Sequence, residues 1–232
     1  YLLNGRKSYR FTVAFGAATS TDDLEGEVVE TSPHRPAAEA IRAILPRFLG
    51  PIRQRPPSYS ALKVDGKRAY ARARAGETVE LPAREITIHS LMLVGMEHDR
   101  ATFEVACSKG SYVRSLARDI AQALGTVGHV AELRRTGAGA FTLGHALPLD
   151  KCAELLQGPH PQQALLPLTA GLDDIPVLAV TPLEAEALKA GRRIERPHAK
   201  PGQFLATLGS VPVALVLVAA GDVKVVRGFN LL

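Results

Sequence analysis

Cys107-Ser108-Lys109-Gly110-Ser111-Tyr112-Val113-Arg114-Ser115-Leu116-Ala117-Arg118-Asp119-Ile120 reads as a strand end, a tight glycine turn and the first turns of an amphipathic helix. Upstream, Ala101, Phe103, Val105 and Cys107 alternate with Thr102, Glu104 and Ala106, the period-two pattern of a half-buried strand. Downstream, Val113, Leu116, Ala117, Ile120 and Leu124 form one apolar helical stripe. Ser111 is the expected N-cap, which puts Arg114 at about the third helical position. A cation there opposes the partial positive charge of a helix N-terminus. Arg118, one turn on, adds like-charge repulsion of a few tenths of a kcal/mol. Lys109, Arg114 and Arg118 therefore call for an anion, a carboxylate or a phosphate, unless Arg114 simply stands in water.

Working outward, Tyr9, Phe11, Val13 and Phe15 alternate with polar residues and predict a strand. Glu27–Glu30 reads as a short strand and Pro36–Leu49 as a helix with Ile41, Ile44, Leu45 and Phe48 on its apolar face. Pro51–Ser60 is an extended, basic, proline-rich passage. Ala61–Val64 reads as a strand, Asp65-Gly66 as a turn, and Lys67–Ala75 as a short helix ended by Gly76. Ile86–Val94 and Ala101–Ser108 pair around the polar turn at 97–100. A second short helix is expected over Gly128–Arg134, with strand-like residues at Thr136–Leu143 and a helix at Asp150–Leu156. Residues 158–175 form the linker, rich in proline and glutamine at its start. Beyond it, a helix over Pro182–Ala190 and three strands, Gln203–Leu208, Val211–Val218 and Val223–Arg227, outline a small β-barrel module over 176–232.

With 232 residues and 46% hydrophobic content, the chain fits a large domain plus a small module. Tryptophan is absent and aromatics make up 5%, so the core must be mostly aliphatic. A net charge of +5 and a pI near 9.4 suit a polyanionic partner without requiring one. Cys107 and Cys152 stand far apart with no metal-ligand spacing, which points away from a disulfide framework or zinc site and toward a reducing compartment. No apolar run reaches spanning length, and Tyr1 opens on neither a signal peptide nor a methionine. Dinucleotide and Walker loops, serine elbows and paired-histidine metal motifs are missing. The adjacent pairs Asp22-Asp23 and Asp173-Asp174 read as turn or capping residues. The segment from Pro56 past Tyr70 interleaves Lys63, Lys67, Arg68 and Arg72 with Tyr59 and Tyr70, cations and ring faces that suit RNA or a rigid solvated loop.

Four motifs follow in order: Lys7-Ser8-Tyr9-Arg10, Pro57–Lys63 with Gly66 and Tyr70, Cys107–Arg114, and His129–Arg135. Their wording and order resemble the TruB family of tRNA pseudouridine synthases over most of residues 6 to 145. The tail resembles the PUA-type RNA-binding module. The resemblance implies an α+β fold in which a central mixed, mainly antiparallel sheet carries an RNA cleft. Residues 1–157 would form the catalytic domain, incomplete at its N-terminus. It further implies isomerisation of uridine 55 in the tRNA T-loop, on a flipped-out base, without cofactor or metal. A cytoplasmic monomer whose partner is the tRNA T-arm, with no membrane contact, is the expectation that goes with it.

Carried over by residue, the resemblance makes Tyr9 the ring that packs on the target base and removes its carbon-bound proton. Arg114 would pair with the nucleophilic aspartate. Tyr112 and Leu133 would wall the site, while Lys109, Lys63, Tyr70, Arg134 and Arg135 would meet RNA. The family's aspartate lies in a Gly-x-x-Asp-Pro loop some way before the counterpart of Tyr9, and no Asp-Pro occurs here. The expectation is thus an N-terminally truncated synthase, inactive as it stands, with Asp22, Asp23, Asp65 and Asp119 on the wrong motifs to substitute. The alternatives are a non-catalytic RNA-binding or tRNA-folding protein, and a dyskerin-like subunit of a guide-RNA complex.

Overall fold

The computed structural model describes residues 5–60, 62–64, 67–74, 81–172 and 174–229. The chain divides into two compact units after Leu143. The sequence reading carries the first domain on to residue 157.

The first unit is built on β1 (Lys7–Phe15), whose odd-numbered residues Phe11, Val13 and Phe15 are buried as their alternation requires. It continues through β2 (Ala17–Thr19) and β3 (Val28–Thr31), α1 (Ala38–Ile44) with a 3-10 turn at Leu45–Phe48, and β4 (Gly50–Gln54). Then come β5 (Lys63–Val64), β6 (Lys67–Arg68), α2 (Ala69–Arg74), the long hairpin β7 (Arg84–Glu97) and β8 (Arg100–Cys107), and α3 (Val113–Ala123). β9 (Gly128–Ala138) and β10 (Phe141–Thr142) close the unit. Six strands join in the order β10-β9-β1-β8-β7-β4, every pairing antiparallel. The expected turn at Asp65-Gly66 and the stop at Gly76 lie outside the described residues.

α3 carries the stripe its sequence predicts. Val113, Leu116, Ala117, Ile120 and Ala121 are buried against Phe11, Phe103 and Val105 of the sheet. Phe11 and Phe103 stack with centroids 5.2 Å apart. Each fully buried Leu or Ile contributes about 1.5–3 kcal/mol over leaving it exposed. The helix start differs from expectation. Tyr112, not Ser111, is the N-cap, so Arg114 is the second helical residue. The Ser111 hydroxyl instead donates to the Ser108 carbonyl at 3.0 Å. Gln54, 1% exposed at the end of β4, does the capping from a distance. Its carbonyl accepts from the Tyr112 amide at 2.8 Å and its amide donates to the Tyr112 carbonyl at 3.1 Å.

The helix expected over Gly128–Arg134 is strand β9. Val130 and Leu133 mimic a helical stripe, but pairing with the whole length of β1 overrides that local signal. Gly128 makes the contact possible: a Cβ there would sit 3.0 Å from the Ala14 carbonyl and 3.2 Å from Cβ of Ala121 in α3.

In the second unit, α4 (Leu149–Gln157) and 3-10 turns at Pro161–Ala164 and Leu168–Gly171 occupy most of the stretch before a five-stranded sheet. Its strands are β11 (Val177–Ala179), β12 (Ile194–Glu195), β13 (Gly202–Leu208), β14 (Val211–Ala219) and β15 (Asp222–Gly228). The order is β11-β13-β14-β15-β12, parallel only between β11 and β13. The three strands read from sequence are thus joined by two short edge strands. α5 (Pro182–Lys189) buries Ala185 and Leu188 in the core formed with Val213, Val216 and Val218. A capping box starts it, Thr181 accepting from the Glu184 amide and Glu184 from the Thr181 amide.

Candidate active site

Between β2 and β3 the chain doubles back over β9 and α3. The Val130 amide donates to the Asp22 carbonyl at 3.0 Å, which seats this loop on the sheet. Asp22 adopts a left-handed conformation (φ 60°), tolerable for an aspartate. That break in the extended path lets successive carboxylates, Asp22 and Asp23, both reach α3.

The anion that Arg114 calls for is supplied inside this chain. Its Nη1 donates to Asp23 Oδ2 at 2.8 Å and to the Thr21 carbonyl at 3.0 Å, and its Nη2 donates to the Tyr59 carbonyl at 2.8 Å. Asp23 also does the turn work read from sequence, because its Oδ1 accepts from the Glu25 amide at 3.0 Å. Local spacing could not expose its second duty across 91 residues of sequence. Arg118 is satisfied likewise, with Asp22 at 3.0 Å and Asp119 at 3.0 Å. The expected arginine–arginine repulsion is thereby replaced by alternating charge. Burial pushes the Asp22 carboxyl up from its ordinary value, against the pull of Arg118 and then Arg114. Asp119 is likewise raised by burial, with Arg118 opposing.

An open cleft of about 850 Å³ lies over Arg114, lined also by Ser20, Thr21, Tyr59, Ser60 and Tyr70. The cleft thus gathers two of the residues read from sequence, Arg114 and Tyr70. Tyr9, Leu133 and Arg135 gather separately, on the β1–β9 surface against which α3 packs. The register sets Tyr9 opposite Arg135 and Phe11 opposite Leu133, so these side chains share one face. The Arg135 guanidinium lies 5.7 Å from the Tyr9 ring centroid, a cation–π pair that holds the ring at the edge of the core. Leu133 is 49% exposed there, an apolar surface beside an aromatic ring.

Tyr112 stands just before α3 with Arg84 over its ring at 5.1 Å, and Lys109 is exposed on the β8–α3 turn. Arg134, exposed on β9, sits opposite Arg10, which is itself paired with Glu104 at 2.7 Å. Lys63 belongs to β5, and its side chain lies outside the described part of the structure. Sequence reasoning missed Gln54, Thr21 and the ion-pairing of Asp22 and Asp23. A lone glutamine in a proline-rich passage carries no local sign that it will be buried. Among the described residues, no group of three or more His, Cys, Asp or Glu could hold a metal ion, and no helix is long and apolar enough to cross a membrane.

The fold is shared with solved structures. One, described as an H/ACA RNP bound to a substrate RNA containing 2'-deoxyuridine, superposes with a TM-score of 0.72 at 19% identity, covering 99% of this chain and 68% of that one. A Cbf5-Nop10-Gar1 complex matches with a TM-score of 0.70, also at 19% identity, covering 97% and 67%. Residues 1–113 match the family described as TruB family pseudouridylate synthase (N terminal domain), and residues 114–173 the tRNA pseudouridylate synthase B C-terminal domain. Proteins named tRNA pseudouridine synthase B are similar along almost the whole chain. That of Zymomonas mobilis is 50% identical over 230 residues, 99% of this chain and 76% of its own length. That of Novosphingobium aromaticivorans is 52% identical over 235 residues, 99% and 77%. The chain belongs to the TruB family of pseudouridylate synthases.

Proposed function

We propose that this chain forms the RNA-binding and base-handling body of a tRNA pseudouridine synthase acting on uridine 55 of the T-arm. One observation carries the reading: Arg114 is pinned by Asp23 and by the carbonyls of Thr21 and Tyr59, facing a polar cleft, in a chain half identical to synthases of that name. In the isomerisation the N-glycosidic bond breaks, a bond from the sugar to a ring carbon forms, the proton on that carbon leaves to a base, and the freed ring nitrogen takes up a proton from water. Tyr9 packs on the extruded uracil, and its hydroxyl takes that proton. Arg114 holds the attacking carboxylate ionised and aimed, because an adjacent cation favours the charged form. Tyr112 and Leu133 wall the base, and Lys109, Lys63, Tyr70, Arg134 and Arg135 hold the RNA backbone and neighbouring bases. The Asp-Pro loop that would bring the carboxylate has no counterpart within residues 1–232, so turnover needs that loop from outside them. The second reading is a protein that binds the T-arm without modifying it.

Tritium release from uracil-labelled tRNA separates the two. The chain preceded by a Gly-x-x-Asp-Pro segment from a family member is expected to release tritium, and Arg114→Ala to lower the rate by at least a hundredfold. Tyr9→Phe should retain binding and lose turnover. Full binding of the T-arm with no tritium release from the extended chain would establish the non-catalytic reading. Turnover undiminished in Arg114→Ala would overturn the role given to that residue.

A further inference from the structure

Arg114 and Arg118, four residues apart on one face of α3, each bridge the same two segments of chain. Arg114 joins the 21–23 loop, through Asp23 and the Thr21 carbonyl, to the Tyr59 carbonyl. Arg118 joins the same loop, through Asp22 Oδ2 at 3.0 Å, to the Arg55 carbonyl at 3.0 Å. Both guanidinium side chains are 23% exposed, and Asp22 is 14% exposed. These are two parallel rungs, one at the cleft and one behind it. The path from Arg55 to Tyr59 runs between the rungs and carries Pro56 and Pro57, whose fixed φ stiffens it, so fixing Arg55 limits where the Tyr59 carbonyl can stand.

We propose that the Asp22–Arg118–Arg55 rung is a positioning device for Arg114, in which Arg118 is a positioning residue that never meets substrate. It rests on the reading of Arg114 as the residue facing the attacking carboxylate. Arg118 is suited to the task because a planar guanidinium fixes several acceptors in set directions. Its Nε donates to Asp119 Oδ1 at 3.1 Å, which stops rotation about the end of the side chain. A lysine could reach only part of this set. With the rung intact, the loop bearing Asp23 and the strand exit bearing Tyr59 close on Arg114 from both sides. Without it, Arg114 keeps its partners but loses their fixed spacing, and a misplacement of about 1 Å near reacting atoms can cost a hundredfold in rate.

The test reads Arg114 directly. In the chain itself, the guanidinium N–H resonances of Arg114 are followed by NMR in wild type, Arg118→Gln, Arg118→Lys and Asp22→Asn. Tritium release by the extended chain is measured in parallel. Arg118→Gln is expected to shift the Arg114 resonances and speed their solvent exchange, and to lower kcat about tenfold with KM within a factor of two. Arg118→Lys should recover part of both effects, and Asp22→Asn should move the same resonances if Arg118→Gln does not fold. Arg114 resonances unchanged in every folded variant would overturn the proposal, as would a loss of thermal stability with kcat intact. If wild type shows no turnover at all, the functional reading fails, while the resonances still decide the positioning role.

Discussion

Gln54 shows how much one side chain can organise. It is buried at 1% exposure, and both ends of its amide are spent on the backbone of Tyr112, the residue that opens α3. Buried polar groups must be paired, and here each partner satisfies the other. Gln54→Leu keeps the volume but strands the Tyr112 amide, while the Tyr112 carbonyl keeps the Leu116 amide at 3.1 Å. The expected loss is about 1–3 kcal/mol, the desolvation cost of one orphaned group. Urea denaturation should show it as a lower midpoint at unchanged slope. A loss under half a kcal/mol would mean that water replaces the glutamine without cost. Nothing in Arg53-Gln54-Arg55 announces this role, because a glutamine between two arginines reads as solvated surface.

At the scale of elements, the contact of α3 with β9 depends on a missing side chain. Gly128 lies within 3.2 Å, by its would-be Cβ, of the Ala14 carbonyl, Val13 Cγ1 and Ala121 Cβ, none of them the loose end of a flexible chain. Gly128→Ala is therefore expected to cost about 1–3 kcal/mol through overpacking, despite the usual gain from replacing glycine. Thermal unfolding checks it, and an unchanged or raised Tm would refute it. α5 offers a pH test. The Thr181 amide, with help from the Thr181 hydroxyl and Arg196, holds the Glu184 carboxyl below its ordinary value of 4.5. A depressed folded-state value means stability that is present above the ordinary value and lost as pH falls through the lowered one. Amide-exchange protection in α5 should thus decline as the solution is acidified below 4.5, and Glu184→Gln should flatten that decline. Equal profiles in the two proteins would show that the capping box carries no charge-dependent stability.

Over the whole molecule, the basic excess has a measurable consequence. With net charge +5 and Lys109, Lys63, Arg134 and Arg135 assigned to RNA, four cations at about 0.7–0.9 each predict a log–log salt slope near −3 for T-arm binding. Lys109→Ala should weaken binding across all hairpin sequences and make the slope about one unit shallower. A flat salt dependence would remove the electrostatic basis of the interface.

The features legible in the sequence are ones of short reach. The alternation in β1 and β8, the stripe on α3 and the strand–turn–helix order at Cys107–Ile120 all appear as read, since each is a pattern over neighbours. The four ordered motifs named the family for the same reason. Gly128–Arg134 is a strand because β1 supplies its hydrogen bonds from more than a hundred residues away, beyond the reach of any local pattern. The tertiary structure alone turned Asp22 and Asp23 from turn residues into the counter-ions of Arg118 and Arg114. The opening stretch showed that a helix beginning with arginines needs an anion. Which carboxylate answers that need is a matter of distance in space, which spacing along the chain does not encode.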